Sequence, residues 1–193
     1  MNRSLQTLPV SPSLSSTVLR DGVVVLLASL TLGMLAQISI PIGPVPVTGQ
    51  TLGVLAIAMA LGARRGALAV MLYIAQGVAG LPVFAGGTAG FAVLLGPTAG
   101  YLVGFVPAVF MMGLLAERFP QAGVGLRVTI LAAGTAVVYS VGSLWLSRFV
   151  GWERVVALGV LPFLFGDALK ISIVALAASS RRRAPMNLER SGS

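Results

Sequence analysis

The sequence contains no cysteine and no histidine among its 193 residues. Disulfides and thiol nucleophiles are therefore excluded, and a zinc or copper site is not expected because those metals favour thiolate and imidazole ligands. No nucleophile–base pair is visible, so an enzyme is not expected. The single lysine, Lys170, is followed by isoleucine and belongs to no G-x-x-x-x-G-K-[ST] motif. We therefore do not expect the chain to hydrolyse ATP itself.

Charged residues are also scarce. They make up 9% of the sequence, against about 25% in a soluble domain, while hydrophobic residues make up 56%. Long apolar runs recur and predict an all-α, polytopic membrane protein with six transmembrane helices. The predicted spans are residues 22–40, 48–61, 66–80, 96–115, 128–146 and 155–178. The predicted organisation is a polar N-terminal tail (1–21), a six-helix membrane domain (22–180) and a basic tail (181–193).

The net charge of +8 does not indicate nucleic acid, because the basic residues cluster at the ends of the apolar runs. Cytoplasmic loops of membrane proteins carry an excess of lysine and arginine. Only Arg148 and Arg154 fall on the outer side if the N-terminus lies inside. The remaining arginines then fall on the inner side. The charge bias therefore predicts that both termini lie inside.

Two opposite charges lie within the last apolar run. Asp167 and Lys170 are three residues apart, which places them on one face of a helix. A charged side chain at the centre of a membrane-spanning helix costs at least about 2.5–3.5 kcal/mol and usually marks a functional site. The pair is either a ligand site or a mutually neutralising structural pair. Pro162 predicts a break in the helix on the outer side of the pair.

The first outer loop leads into a polar helix start. Residues 41–47 include three prolines, which exclude a helix there. Thr48 is the predicted N-cap of span 2. A cap does not account for Gln50, whose amide is costly in an apolar span and predicts an inward polar contact. Both residues are candidates for a binding site.

The second outer loop, residues 80–90, is uncharged and rich in glycine, so it is not expected to form a regular helix. Such backbone at membrane depth must be buried or line a cavity. The loop is either a flexible connector or a lid over a pocket, with Phe84 as a packing surface and the backbone near Gly86 as a donor. Tyr101, at the start of span 4, is either an interfacial aromatic residue or a pocket wall.

Small residues form a surface on span 1. They are Ala28, Ser29, Gly33 and Ala36. Small residues let helices approach closely in membranes, so this surface packs either inside the chain or against another membrane protein.

Several motifs together resemble the BioY family. The similarity lies in residues 44–53 (PVPVTGQTLG), 64–67 (RRGA), 80–87 (GLPVFAGG), 96–101 (GPTAGY) and 162–170 (PFLFGDALK), in that order. The resemblance implies a biotin-binding subunit of an energy-coupling factor transporter in a prokaryotic plasma membrane. It further implies a six-helix fold, outer loops that close over biotin, and two kinds of partner: a transmembrane coupling subunit, which span 1 would contact, and two cytoplasmic ATPases.

The resemblance also implies which residues bind. Asp167 and Lys170 would contact the polar groups of biotin, with Thr48, Gln50, Phe84, Gly86 and Tyr101 as further contacts. Asp167 suits the ureido N–H groups, while Lys170 suits either the carbonyl or the carboxylate. Two alternatives stay open: a subunit for another small vitamin, and a stand-alone (oligomeric) biotin carrier.

Overall fold

The computed structural model of the protein describes residues 14–180, and every structural statement below refers to them. Most of the predicted N-terminal tail and the whole basic tail lie outside the described residues. The elements in chain order are helix α1 (Leu14–Gln37), strands β1 (Ser39–Ile40) and β2 (Val47–Thr48), and helices α2 (Gln50–Val78), α3 (Ala99–Arg118), α4 (Val124–Val150), α5 (Trp152–Gly159) and α6 (Leu161–Ser180). Two short 3-10 helices, Ala85–Gly87 and Phe91–Leu95, lie between α2 and α3. The prediction of a mainly helical fold is confirmed.

Five helical segments of the described chain are long and apolar enough to cross a membrane, instead of the six predicted. The difference arises because predicted spans 2 and 3 both fall within α2. The predicted break in span 6 is confirmed: α5 ends at Gly159 and α6 begins at Leu161. Pro162 then lies in the first turn of α6, where its missing N–H breaks no helical hydrogen bond.

The chain reverses direction inside α2, at Gly62. This residue has φ +75° and ψ −169°, a conformation open to glycine because it lacks a Cβ. Gln50 Nε2 donates a hydrogen bond to Tyr73 Oη, 23 residues later. A straight helix would place these residues about 35 Å apart at about 1.5 Å per residue. Residues 50–61 and 63–78 therefore form two antiparallel arms.

Close packing of α3 holds its neighbours together. A Cβ built on Gly104 would lie 3.2 Å from Val141 Cβ on α4. A Cβ built on Gly113 would lie 2.6 Å from Ala63 Cα, at the start of the second α2 arm. Glycine at such positions allows backbones to approach closely, which is a main source of helix association in membranes.

Charged side chains separate to the two ends of the bundle. At one end, Arg65 Nη2 lies 3.2 Å from Asp21 Oδ1. At the opposite end, the Arg148 guanidinium lies 4.8 Å from the centroid of the Trp145 ring, whose Nε1 donates to the carbonyl oxygen of Gly96 at 2.9 Å. Arg65 and Arg148, predicted on opposite sides of the membrane, thus lie at opposite ends of the fold.

The small residues of α1 pack inside the chain. Ser29 and Ala36 have no exposed surface, and a Cβ on Gly33 would lie 3.1 Å from Val83 Cβ. Of the two alternatives that the sequence leaves open, Ser29, Gly33 and Ala36 take the internal packing, and docking of a coupling subunit on α1 stays a prediction. Large apolar side chains instead cover the outward face of α1, among them Leu27 and Met34.

Candidate ligand-binding site

Asp167 and Lys170 form an ion pair, with Lys170 Nζ 2.9 Å from Asp167 Oδ1. The Asp167 side chain is 4% exposed and that of Lys170 is 17% exposed. Lys170 Nζ also donates to the backbone carbonyl oxygen of Thr48 at 2.9 Å and to Thr51 Oγ1 at 2.6 Å. The lysine therefore links α6 to the first turn of α2.

Thr51 and Tyr139 complete the surroundings of the Asp167 carboxylate. Thr51 Oγ1 donates to Asp167 Oδ1 at 2.8 Å, and Tyr139 Oη on α4 donates to Oδ2 at 2.6 Å. Neither residue is among the site residues predicted from the sequence. Tyr139 is one of only three tyrosines, and a buried phenol hydroxyl usually has a hydrogen-bond partner, which is the signal that could have found it.

A second series of hydrogen bonds connects polar side chains through Gln50, which is 6% exposed. Thr48 Oγ1 donates to Gln50 Oε1 at 2.9 Å, and Gln50 Nε2 donates to Tyr73 Oη. The predicted inward polar contact of Gln50 is thus present. The helix start differs from the prediction by one residue, because Gly49 is the N-cap. The Thr48 hydroxyl nevertheless accepts the backbone N–H of Gln50 at 3.2 Å.

Both clusters border one cavity of about 340 Å³. Ligand pockets are mostly apolar, with a few polar groups that set orientation. The cavity follows that pattern, since prolines, valines and aromatic rings form much of its wall and a few polar side chains form the rest. Its principal lining residues are Pro44, Val45, Pro46, Thr48, Gln50, Thr51, Phe84, Thr88, Tyr101, Phe105, Val138, Tyr139, Phe163, Asp167 and Lys170.

The loop between α2 and α3 forms one wall of the cavity and is anchored by Phe84. This side chain is 1% exposed, and its ring packs edge-on against Tyr73, with the ring centroids 5.6 Å apart. The ring lies directly over Gly77, where a Cβ would overlap it. Gln37 Nε2 on α1 donates to the carbonyl oxygen of Gly33 in its own helix at 2.9 Å and also lies within hydrogen-bonding distance of the carbonyl oxygens of Pro82 (3.4 Å) and Phe84 (3.3 Å). The loop is therefore attached to both α1 and α2.

The remaining two predicted residues differ in position. Tyr101 lines the cavity with its ring, but its hydroxyl donates to the carbonyl oxygen of Gly159 at 2.8 Å and so ties α3 to the end of α5. Gly86 is exposed, has φ +64° and is not among the residues that line the cavity. Its left-handed conformation lets the loop turn, and Gly86 itself does not border the cavity.

Within residues 14–180 there is no group of three or more histidine, cysteine, aspartate or glutamate side chains that could hold a metal ion. The polar groups that border the cavity are a carboxylate, an ammonium group, an amide and several hydroxyl groups. Such a set offers hydrogen-bond donors, hydrogen-bond acceptors and charge to a small organic molecule.

Comparisons with known proteins agree on one family. The sequence matches the model of the BioY family over residues 4–186. It is 40% identical over 143 residues to the probable biotin transporter BioY of Pyrococcus horikoshii, covering 74% of this chain and 84% of that protein. It is 41% identical over 144 residues to the biotin transporter BioY of Thermotoga maritima, with the same coverage of 74% and 84%.

The fold has a solved counterpart. It matches a crystal structure of the S-component for biotin from an ECF-type ABC transporter with a TM-score of 0.79. The match covers 88% of this chain and 94% of that chain at 24% sequence identity, so it speaks for the fold. The family model and the two relatives show that the chain belongs to the BioY family.

Proposed function

We propose that this chain captures biotin at the outer side of a membrane as the binding subunit of an uptake transporter. The observation that carries the proposal is the buried Asp167–Lys170 pair at the border of an apolar cavity of about 340 Å³. Two relatives from this family are described as biotin transporters or probable ones, which names the ligand. The function is transport of a molecule rather than its chemical conversion.

The chemistry of biotin suits the cavity. Biotin has a ureido ring with two N–H groups and a carbonyl, a thioether, and a valerate chain ending in a carboxylate. Asp167 would accept a ureido N–H, because an ionised carboxylate is an acceptor only. Lys170 would hold the Asp167 charge in place and contribute positive potential to the polar groups of the ligand. The rings of Tyr101 and Phe84 and the polar side chains of Thr48 and Gln50 would enclose the bicyclic ring.

The proposed topology has six crossings with both termini inside. Its support is the reversal at Gly62, which turns the single helix α2 into two antiparallel arms. Arg64 and Arg65 lie at this turn, and Arg65 pairs with Asp21 near the start of α1. The arm of residues 50–61 is only about 18 Å long, shorter than the roughly 30 Å hydrocarbon core. The cavity lies where that arm begins, on the outer side.

The proposed partners are a transmembrane coupling subunit and two cytoplasmic ATPases in a prokaryotic plasma membrane. The support is the fold likeness to an S-component of an ECF-type ABC transporter. ATP would then be hydrolysed by the partners, and release of biotin inside would follow reorientation of this subunit.

Direct binding tests the proposed ligand. The chain purified in detergent should bind tritiated biotin saturably, with about one molecule per chain. Failure to reach saturable binding at micromolar or lower biotin would remove the proposal. Riboflavin and thiamine, offered at the same concentrations, would compete only if the subunit serves another vitamin.

Uptake tests the partners separately. Vesicles that contain the chain alone are compared with vesicles that also contain a coupling subunit, the ATPases and internal ATP. We expect uptake only in the second preparation. Uptake by the chain alone would instead identify a stand-alone carrier, and cross-linking would then report whether it is oligomeric.

A further inference from the structure

The hydrogen-bond donors around Asp167 are already directed at acceptors of this chain. An ammonium group has three N–H donors, and Lys170 Nζ has three acceptors: Thr48 O, Thr51 Oγ1 and Asp167 Oδ1. The Thr51 hydroxyl proton also goes to Asp167 Oδ1. Oδ1 therefore accepts two hydrogen bonds, which fills the two positions that one carboxylate oxygen offers.

Asp167 Oδ2 accepts fewer hydrogen bonds from the described residues than Oδ1 does. Its donor within residues 14–180 is Tyr139 Oη, at 2.6 Å. A hydroxyl group has one donor and two acceptor positions. Because Tyr139 donates its proton to Asp167, its oxygen can still accept a hydrogen bond. Tyr139 and Asp167 both border the cavity. Two acceptor atoms, Asp167 Oδ2 and Tyr139 Oη, thus lie side by side, and each keeps an acceptor position that no hydrogen bond from residues 14–180 fills.

We propose that Tyr139 is a specificity-determining residue that works with Asp167 to recognise an N–H donor of the ligand. The inference rests on the proposed function and deepens it, since it names the residue that, with Asp167, accepts a hydrogen bond from a ureido N–H group of biotin. Tyr139 does so in two ways. Its hydrogen bond to Oδ2 fixes the orientation of the carboxylate, and its own oxygen offers a second acceptor beside Oδ2.

A merely structural role for Tyr139 makes a different prediction. Tyr139 also packs near Phe163, with their ring centroids 6.5 Å apart, and its hydrogen bond ties α4 to α6. Were that its whole role, loss of the hydroxyl would weaken every ligand by the same factor. A ligand-reading role instead makes the loss depend on whether the ligand carries the N–H group.

A double-mutant cycle between protein and ligand separates the two roles. The full chain and its Tyr139→Phe variant are titrated calorimetrically with biotin and with biotin methylated at one ureido nitrogen, each nitrogen in turn. Tyr139→Phe should raise the Kd of biotin by about 10- to 100-fold, the range for hydrogen bonds that involve a charged group. The methylation penalty is the Kd of the methylated ligand divided by the Kd of biotin on the same chain. For one of the two methylated ligands, this ratio should be at least about fivefold smaller in the variant than in the unmodified chain.

Tyr101→Phe is the matched control. Its ring also borders the cavity, but its hydroxyl donates to Gly159 rather than to Asp167. Whatever it does to biotin affinity, its methylation penalty should equal that of the unmodified chain. Thermal unfolding of both variants reports any loss of stability, which cancels in the cycle because both ligands are measured on the same variant.

The outcomes separate cleanly. Methylation penalties that are equal in the Tyr139→Phe variant and in the unmodified chain, for both ligand isomers, overturn the inference and leave the proposed function standing. Undiminished biotin affinity of Tyr139→Phe overturns it as well. Failure of the unmodified chain to bind biotin removes the proposed function and the inference together.

Discussion

Lys170 on α6 donates a 2.9 Å hydrogen bond to the backbone carbonyl oxygen of Thr48, which lies 122 residues earlier in the chain. The lysine therefore connects the proline-rich loop before α2 to the helix that carries Asp167. An ammonium group in this position does two things at once: it neutralises a buried carboxylate and it fixes one edge of the cavity.

Replacing the lysine tests whether the ion pair is needed for biotin binding. We expect Lys170→Ala to abolish tight biotin binding, because Asp167 loses the charge that holds it and the Thr48 edge loses its link to α6. Removing one partner of a buried pair typically costs about 3–5 kcal/mol, so stability should also fall. Equilibrium binding and membrane fractionation measure the two effects, and we expect membrane insertion to stay intact.

The double variant Asp167→Asn with Lys170→Met is the control for that loss of stability. It removes both charges, so folding should recover relative to Lys170→Ala while binding stays lost. If Lys170→Ala bound biotin with unchanged affinity, the pair would be structural only.

The loop wall should open faster without Gln37. Its amide bridges α1 to the carbonyl oxygens of Pro82 and Phe84. Loss of about 0.5–1.5 kcal/mol of hydrogen bonding should raise the dissociation rate of biotin in Gln37→Ala by about 2- to 12-fold. Stopped-flow or filter-binding chases measure that rate.

Thr31→Val is the matched control on the same helix, because the Thr31 hydroxyl donates to Leu27 O of its own helix. Its dissociation rate should equal that of the unmodified chain. An unchanged rate in Gln37→Ala would show that Phe84 alone holds the loop.

Gly77 should tolerate no side chain. A Cβ there would overlap the Phe84 ring, so Gly77→Ala must displace the ring that anchors the loop. Such overpacking costs about 1–3 kcal/mol, and we expect both a lower Tm and weaker biotin binding. Gly166→Ala is the control, since nothing lies within 4 Å of a Cβ at that position on α6. Normal binding by Gly77→Ala would mean that the loop wall does not depend on Phe84.

Glu117 should matter for stability and not for binding. Its Oε1 accepts the backbone N–H of Ala63 at 2.9 Å, where the second α2 arm begins, at the end of the fold remote from the cavity. Glu117→Ala should therefore destabilise the chain by about 1 kcal/mol, the usual effect of losing a helix cap, while Glu117→Gln retains an acceptor and loses less.

Thermal unfolding in detergent measures that difference, with the exposed Glu153→Ala as control. Equal Tm values for Glu117→Ala and the unmodified chain would show that the turn at Gly62 needs no side-chain cap.

Much of the fold follows from local properties of the chain. Apolar runs, the prolines before α2 and the break before α6 are visible in the sequence because helix formation and membrane insertion depend on neighbouring residues. Spans 2 and 3 are predicted as separate segments, and in the structure they are the two arms that run antiparallel on either side of Gly62. That outcome depends on Gly62 and on Glu117, a residue 54 positions from Ala63, so local patterns do not reveal it.

The candidate site divides in the same way. By itself the sequence determined that Asp167 and Lys170 share a helix face in an apolar segment, since a spacing of three residues and the cost of charge in hydrocarbon are local facts. Only the tertiary structure decided that Tyr139 and Thr51 donate hydrogen bonds to the Asp167 carboxylate. It likewise decided that the Tyr101 hydroxyl donates to Gly159 and that the small residues of α1 face inward. The reason is physical: Thr51 meets Asp167 across 116 residues, a contact that helix packing creates and no sequence period encodes.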